Sequence, residues 1–206
     1  MTHSLYRRGD YESLKNDYVL ISRPAMGINH EGCAPKLQRS LQIIFGVGPT
    51  NLGSLTTGET IVGGLDPDDV IASMEDNSPI MCCFSEREKV VEVLRKLKEA
   101  ELGISVVLTG LLDDVQAICD EIGLKAHSVN MSLGVHGNTE LLPEEEVLRI
   151  ATMCGHGMVA AGLVRHMRKA VNEGKVSPEE AATVLAQPCL CGIFNTKRAA
   201  ALLSKE

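Results

Sequence analysis

Between residues 79 and 133 the chain alternates short apolar runs with amphipathic stretches, and this alternation constrains the fold more than any other feature. Pro79-Ile-Met-Cys-Cys-Phe84 has the pattern of a buried strand. Ser85, with Glu88 three residues on, reads as an N-cap and capping box. The helix that follows carries Val90, Val91, Leu94 and Leu97 on one face and charges opposite. Ile104 to Thr109 reads as the next strand, and residues 112–122 as a helix with Val115, Ile118, Cys119 and Ile122 inward, closed by Gly123. His127 to Leu133 reads as a further strand. Strand–helix units in succession predict an α/β fold with a small, mostly parallel sheet and flanking helices.

The flanks extend this reading. Residues 1–16 are polar and predict an irregular arm, and Tyr18 to Ser22 a first strand. Pro35 starts a helix to about Phe45, ended by Gly46-Val-Gly-Pro49. Thr60 to Val62 suggests a short strand, within a Gly- and Thr-rich stretch, 46–64, that carries no functional signal. Asp66-Pro67-Asp68-Asp69 starts a helix, and capping accounts for its acids better than metal binding does. From Pro143 onward the pattern is helical, with a helix over 158–172 and another starting at Ser177-Pro178-Glu179-Glu180. Pro188 stops the latter, and Asn195 caps a last short helix. We therefore divide the chain into an α/β part, 1–137, and a helical segment, 138–206, packed on it as one unit.

The chemistry lies in that helical segment. Cys154 stands in Met-Cys-Gly-His-Gly, and Cys189 and Cys191 stand in Pro-Cys-Leu-Cys-Gly. All three fall on breaks between helices, where glycine frees the backbone to aim sulfur at a common point. A helix over 158–172 is about 22 Å long and one over 178–187 about 15 Å. Packed antiparallel, they leave a gap of about 7 Å, which two or three extended residues span. Pro188-Cys189 supplies such a segment, so Cys154 and the Cys189/Cys191 pair are expected to meet at one end of a helical hairpin.

Soft thiolates that converge select iron–sulfur clusters or zinc, or act as thiols themselves. Three readings follow. In the first, Cys154, Cys189 and Cys191 hold an iron–sulfur cluster, [4Fe–4S] rather than [2Fe–2S], with an open iron or with Cys82 (or Cys83) as fourth ligand. Such a cluster serves a lyase-like or desulfurising reaction on a small substrate, or electron transfer. In the second, Cys154, Cys189, Cys191 and His156 form a Cys₃His zinc set. In the third, Cys154 is a metal-free nucleophile at a helix start, assisted by His156. A non-enzymatic accessory protein, delivering metal or cluster to a partner redox enzyme or metalloenzyme, is the alternative to an enzyme. His136, between glycines, is a further acid–base candidate at the expected carboxyl edge of the sheet.

Composition narrows the field. A net charge of −7 and only six aromatic residues, none of them Trp, argue against nucleic-acid partners. The apolar runs fall short of the roughly 20 residues a membrane span needs. The start of the chain lacks the apolar stretch of a signal peptide. The expected compartment is the cytoplasm. Seven cysteines there suggest metal or catalysis and suit an anaerobic metabolism.

Overall fold

The computed structural model describes residues 2–55 and 57–204. Four strands, β1 (Tyr18–Arg23), β2 (Asn51–Gly53), β3 (Ile80–Phe84) and β4 (Ser105–Thr109), form one sheet in the order β2-β3-β1-β4. The α/β class holds, but every neighbouring pair is antiparallel, which corrects the expectation of a mostly parallel sheet. The cause is topological. β3 and β4 do run in the same direction, joined by a helix. β1 lies between them, antiparallel to both, with Val19 opposite Cys83 on one side and Thr109 on the other. Likewise β3 lies between β1 and β2. Two split βαβ units therefore interleave.

The pleat sends successive side chains to opposite faces, and each face has its own helical layer. Tyr18 and Leu20 of β1, with Cys82 and Phe84 of β3, pack with α2 (Ala34–Val47), α3 (Pro67–Ala72), α4 (Arg87–Glu99) and α5 (Leu112–Glu121). Val19, Ile21, Met81 and Cys83 pack with α6 (Glu145–Ala151), α7 (Ala161–Asn172), α8 (Pro178–Ala186) and α9 (Thr196–Leu203). In α8 the buried face is Ala181, Ala182, Leu185 and Ala186. These small side chains let the neighbouring backbones come close.

Several helix starts follow the sequence rules. Ser177 and Glu180 form the full capping box of α8, Asp66 accepts from Asp68 N–H at the start of α3, and Asn195 accepts from Arg198 N–H at the start of α9. The start of α4 differs. Glu86 takes the N-cap position without a side-chain bond, because the Ser85 hydroxyl donates to Asn195 Oδ1 (2.8 Å). Residues 61–63 form a 3₁₀ turn instead of a strand, capped by Thr60. The arm at the start of the chain is ordered, with a 3₁₀ turn (Thr2–Tyr6) and a short helix, α1 (Tyr11–Leu14), capped by Asp10. Residues 127–133 form no strand and lie in a run, 125–142, whose every residue is exposed. Among the described residues no helix is long and apolar enough to cross a membrane.

One contact between layers sets the position of everything at the C-terminal end. Gly53 at the end of β2 packs backbone to backbone against 190–192. A Cβ on Gly53 would strike the Leu190 carbonyl oxygen and come within 2.6 Å of the Cys191 carbonyl carbon. One on Gly192 would meet Leu52 Cα at 2.7 Å, and Gly192 also takes a φ of +67°. Gly53→Ala is therefore expected to cost about 3 kcal/mol through overpacking, read as a lower urea midpoint of the purified protein. An unchanged midpoint would mean that the two segments part at no cost.

Candidate metal centre

Two turns built alike face each other on the β1/β3 sheet face. After α6 the chain makes the turn Cys154-Gly155-His156-Gly157, closed by Gly157 N–H donating to Cys154 C=O (3.0 Å). After α8 it makes the turn Cys189-Leu190-Cys191-Gly192, closed by Gly192 N–H donating to Cys189 C=O (2.9 Å). Both closing glycines are left-handed, at φ +69° and +67°, a conformation that glycine adopts without penalty. The same pattern, Cys-x-(His or Cys)-Gly, therefore occurs twice. Sequence reasoning found the cysteines from their glycine-flanked breaks but missed this repeat, which a search for Cys-x₂-Cys pairs passes over.

The side chains form a connected chain. Cys154 adjoins Cys189, whose thiol lowers its pKa. Cys189 and Cys191 sulfurs are 3.7 Å apart, and Cys191 Sγ is 3.7 Å from His156 Nδ1. The three cysteines are at most 2% exposed, whereas His156 stands at the surface. Backbone N–H groups also point at sulfur: those of His156 and Met158 donate to Cys154, and that of Ile193 donates to Cys191. Among the described residues, no three His, Cys, Asp or Glu side chains are already gathered round one point in the manner of a metal site.

The electrostatics follow from these contacts. The hydrogen bond from Cys189 and the backbone N–H groups pull Cys154 down to about 5, and Cys189 likewise pulls Cys191 down to about 6. Cys189, hydrogen-bonded to both and buried, is raised and keeps its proton. The Cys189 thiol has one proton to donate, so it supports a thiolate at Cys154 or at Cys191 at any one time.

A residue of the N-terminal arm holds the two turns in place. Arg7 Nη2 donates to the carbonyls of Met153 (3.2 Å) and Ile193, one beside each turn. Its Nη1 donates to both oxygens of Asp17 at 2.7 Å. Asp17, with no side-chain exposure, also accepts from Arg198 Nη1 (2.8 Å) and from Asn195 Nδ2 (3.0 Å). Two guanidiniums against one carboxylate leave a surplus positive charge beneath the cysteine turns.

The other candidates lie elsewhere. Cys82 points into the opposite core, its thiol donating to Leu20 C=O (3.8 Å), and burial raises it far above the ordinary thiol value. Cys83 lies under the site, where its thiol faces the carbonyls of Gly192 (3.7 Å) and Phe194 (3.6 Å). Burial raises Cys83 too, so it props up the second turn as a neutral donor. His136 lies in the exposed run, its Nε2 2.8 Å from Leu133 C=O. Cys33 is buried at the start of α2, and Cys119 is half-buried on α5. Sequence reasoning missed Arg7, Asp17 and Gly53. Each acts through a distant contact and has no local signature.

Two outcomes test this site. Arg7→Met leaves Asp17 with two of its three partners and frees the carbonyls of Met153 and Ile193, so it is expected to cost about 3 kcal/mol of unfolding free energy. The second is a pH dependence. Taken as a pair, Cys154 and Cys191 bind fewer protons folded than unfolded between their lowered values and the ordinary 9.0. The metal-free protein should therefore gain stability as pH rises from about 5 to 9 and lose it as pH falls through that window. The raised thiols of Cys83 and Cys189 oppose this only above the ordinary thiol range. Urea midpoints across pH should show the rise in wild type and a flatter profile in Cys154→Ser. Equal profiles would contradict the thiolate assignment. No family model, curated protein or solved structure matches this chain, so the site stands on its own geometry.

Proposed function

We propose that this is a metal-holding protein in which Cys154, His156, Cys189 and Cys191 bind one soft metal ion, zinc. The paired Cys-x-(His or Cys)-Gly turns, set face to face, carry the reading. Each delivers two donors two residues apart, and together they supply a Cys₃His set. The spacing supports a shared ion. Two sulfurs about 2.3 Å from one tetrahedral zinc are about 3.8 Å apart, and a sulfur and an imidazole nitrogen about 3.6 Å. The corresponding separations here are both 3.7 Å. Binding would turn these side chains, with His156 at the exposed rim, toward one point.

Charge supports the same reading. Buried thiolates need a positive partner. Zinc with three thiolates and a neutral imidazole carries a net −1, which offsets the surplus positive charge of the Arg7–Asp17–Arg198 group. Backbone N–H groups on sulfur orient and tune thiolate ligands in metal centres. Four protein donors leave no open coordination position, so the reading favours holding or handing over metal above Lewis-acid catalysis. The exposed His156 is the donor most easily exchanged. A [4Fe–4S] cluster takes one cysteine per iron and asks for sulfurs spread more widely.

Protein purified without oxygen should carry about one zinc per chain by elemental analysis. Cys154→Ser, Cys189→Ser and Cys191→Ser should each lose most of it, and His156→Ala should bind more weakly while retaining some. About four irons per chain with a broad visible band would replace the single ion with a cluster. Absence of any metal, with fast alkylation of Cys154, would leave a thiol protein.

A further inference from the structure

The edge of the sheet at β4 is open. β4 pairs only with β1, and its outer side faces no strand among the described residues. The opposite edge is covered: Gly53 of β2 bridges Thr60 and packs against the second cysteine turn. β4 carries no charge, and Ser105 and Val106 are exposed. Natural sheets guard open edges with charged residues, bulges or covering segments.

The same chain carries a stretch with the complementary defect. Residues 128–133 read Ser-Val-Asn-Met-Ser-Leu, a strict polar–apolar alternation. Val129, Met131 and Leu133 are 56%, 69% and 90% exposed. Among the described residues, the backbone from 125 to 133 pairs with no strand. No Asp, Glu, Lys or Arg occurs between Lys125 and Glu140. A structureless run of this length in a compact fold is uncommon and is either functional or a linker.

We infer that residues 128–133 of one chain add as a fifth strand to the free edge of β4 in a second copy, and that the second copy returns the same contact. An unsatisfied strand-like segment and an unsatisfied strand edge on the same chain are mutual partners, and the reciprocal exchange closes a two-fold dimer. The apolar row of the added strand then covers Val106 and its neighbours on one face of the sheet. Residues 128–133 and the five residues of β4 form a two-stranded contact made twice across the two-fold axis. Lack of charge on both elements removes the usual obstacle to such pairing.

Light scattering on the wild-type chain across a concentration series tests this. A dimer is expected, with backbone amides of 105–109 and 128–133 protected from hydrogen exchange. Met131→Lys with Leu133→Lys, and separately Asn130→Pro, alter only exposed positions and should leave circular dichroism unchanged. Both should shift the protein to monomer and abolish protection at 128–133. A wild-type monomer at every concentration would overturn the inference, including one in which 128–133 is protected by its own β4. A dimer that survives both variants would overturn it equally, since another face would then be the interface.

Discussion

Asp17 is the charge on which the candidate site depends. It is fully buried just before β1 and answered by Arg7, Arg198 and Asn195. A carboxylate in that position is tolerable only while its donors stay in place. Holding them there fixes three parts of the chain. Arg7 brings the N-terminal arm to the carbonyls of Met153 and Ile193. Arg198 anchors α9 and reaches Ser13 in α1 (2.9 Å). Asn195 caps α9 and receives the Ser85 hydroxyl from the end of β3. The cysteine turns are thus positioned by a polar group underneath them.

Apolar packing and close backbone contact complete the placement. The sheet face beneath the turns offers Val19, Ile21, Met81 and Cys83 to the C-terminal helices. Phe194 is fully buried two residues after the second turn, and its carbonyl accepts from Asn51 (3.3 Å) as well as facing the Cys83 thiol. Gly53 and Gly192 bring β2 and the turn closer than any side chain would allow. The result is a packed floor beneath the turns with an exposed histidine at its rim.

Much of this was legible locally. Ser177, Asp66 and Asn195 announced their helices because capping is decided within four residues. The strand–helix–strand run from β3 to β4 was legible too, as was the common direction of those strands. The sheet was misread because no local pattern reveals that β1 inserts between them. Ser85 was misread because a distant Asn195 takes its hydroxyl. The alternation at 127–133 is a sound strand signal, but a strand needs an edge to pair with. At the site, the cysteines were visible from their glycine-flanked positions. Arg7, Asp17 and Gly53 were not, since their roles exist only once segments more than a hundred residues apart meet.

The central claim is that the two matched turns close on one ion. X-ray absorption at the zinc edge on protein purified without oxygen tests it most directly. The account predicts three sulfurs at about 2.3 Å and one nitrogen at about 2.0–2.1 Å, with one sulfur missing from the first shell in Cys191→Ser. A shell of oxygen and nitrogen alone, or one unaltered by that substitution, would contradict it.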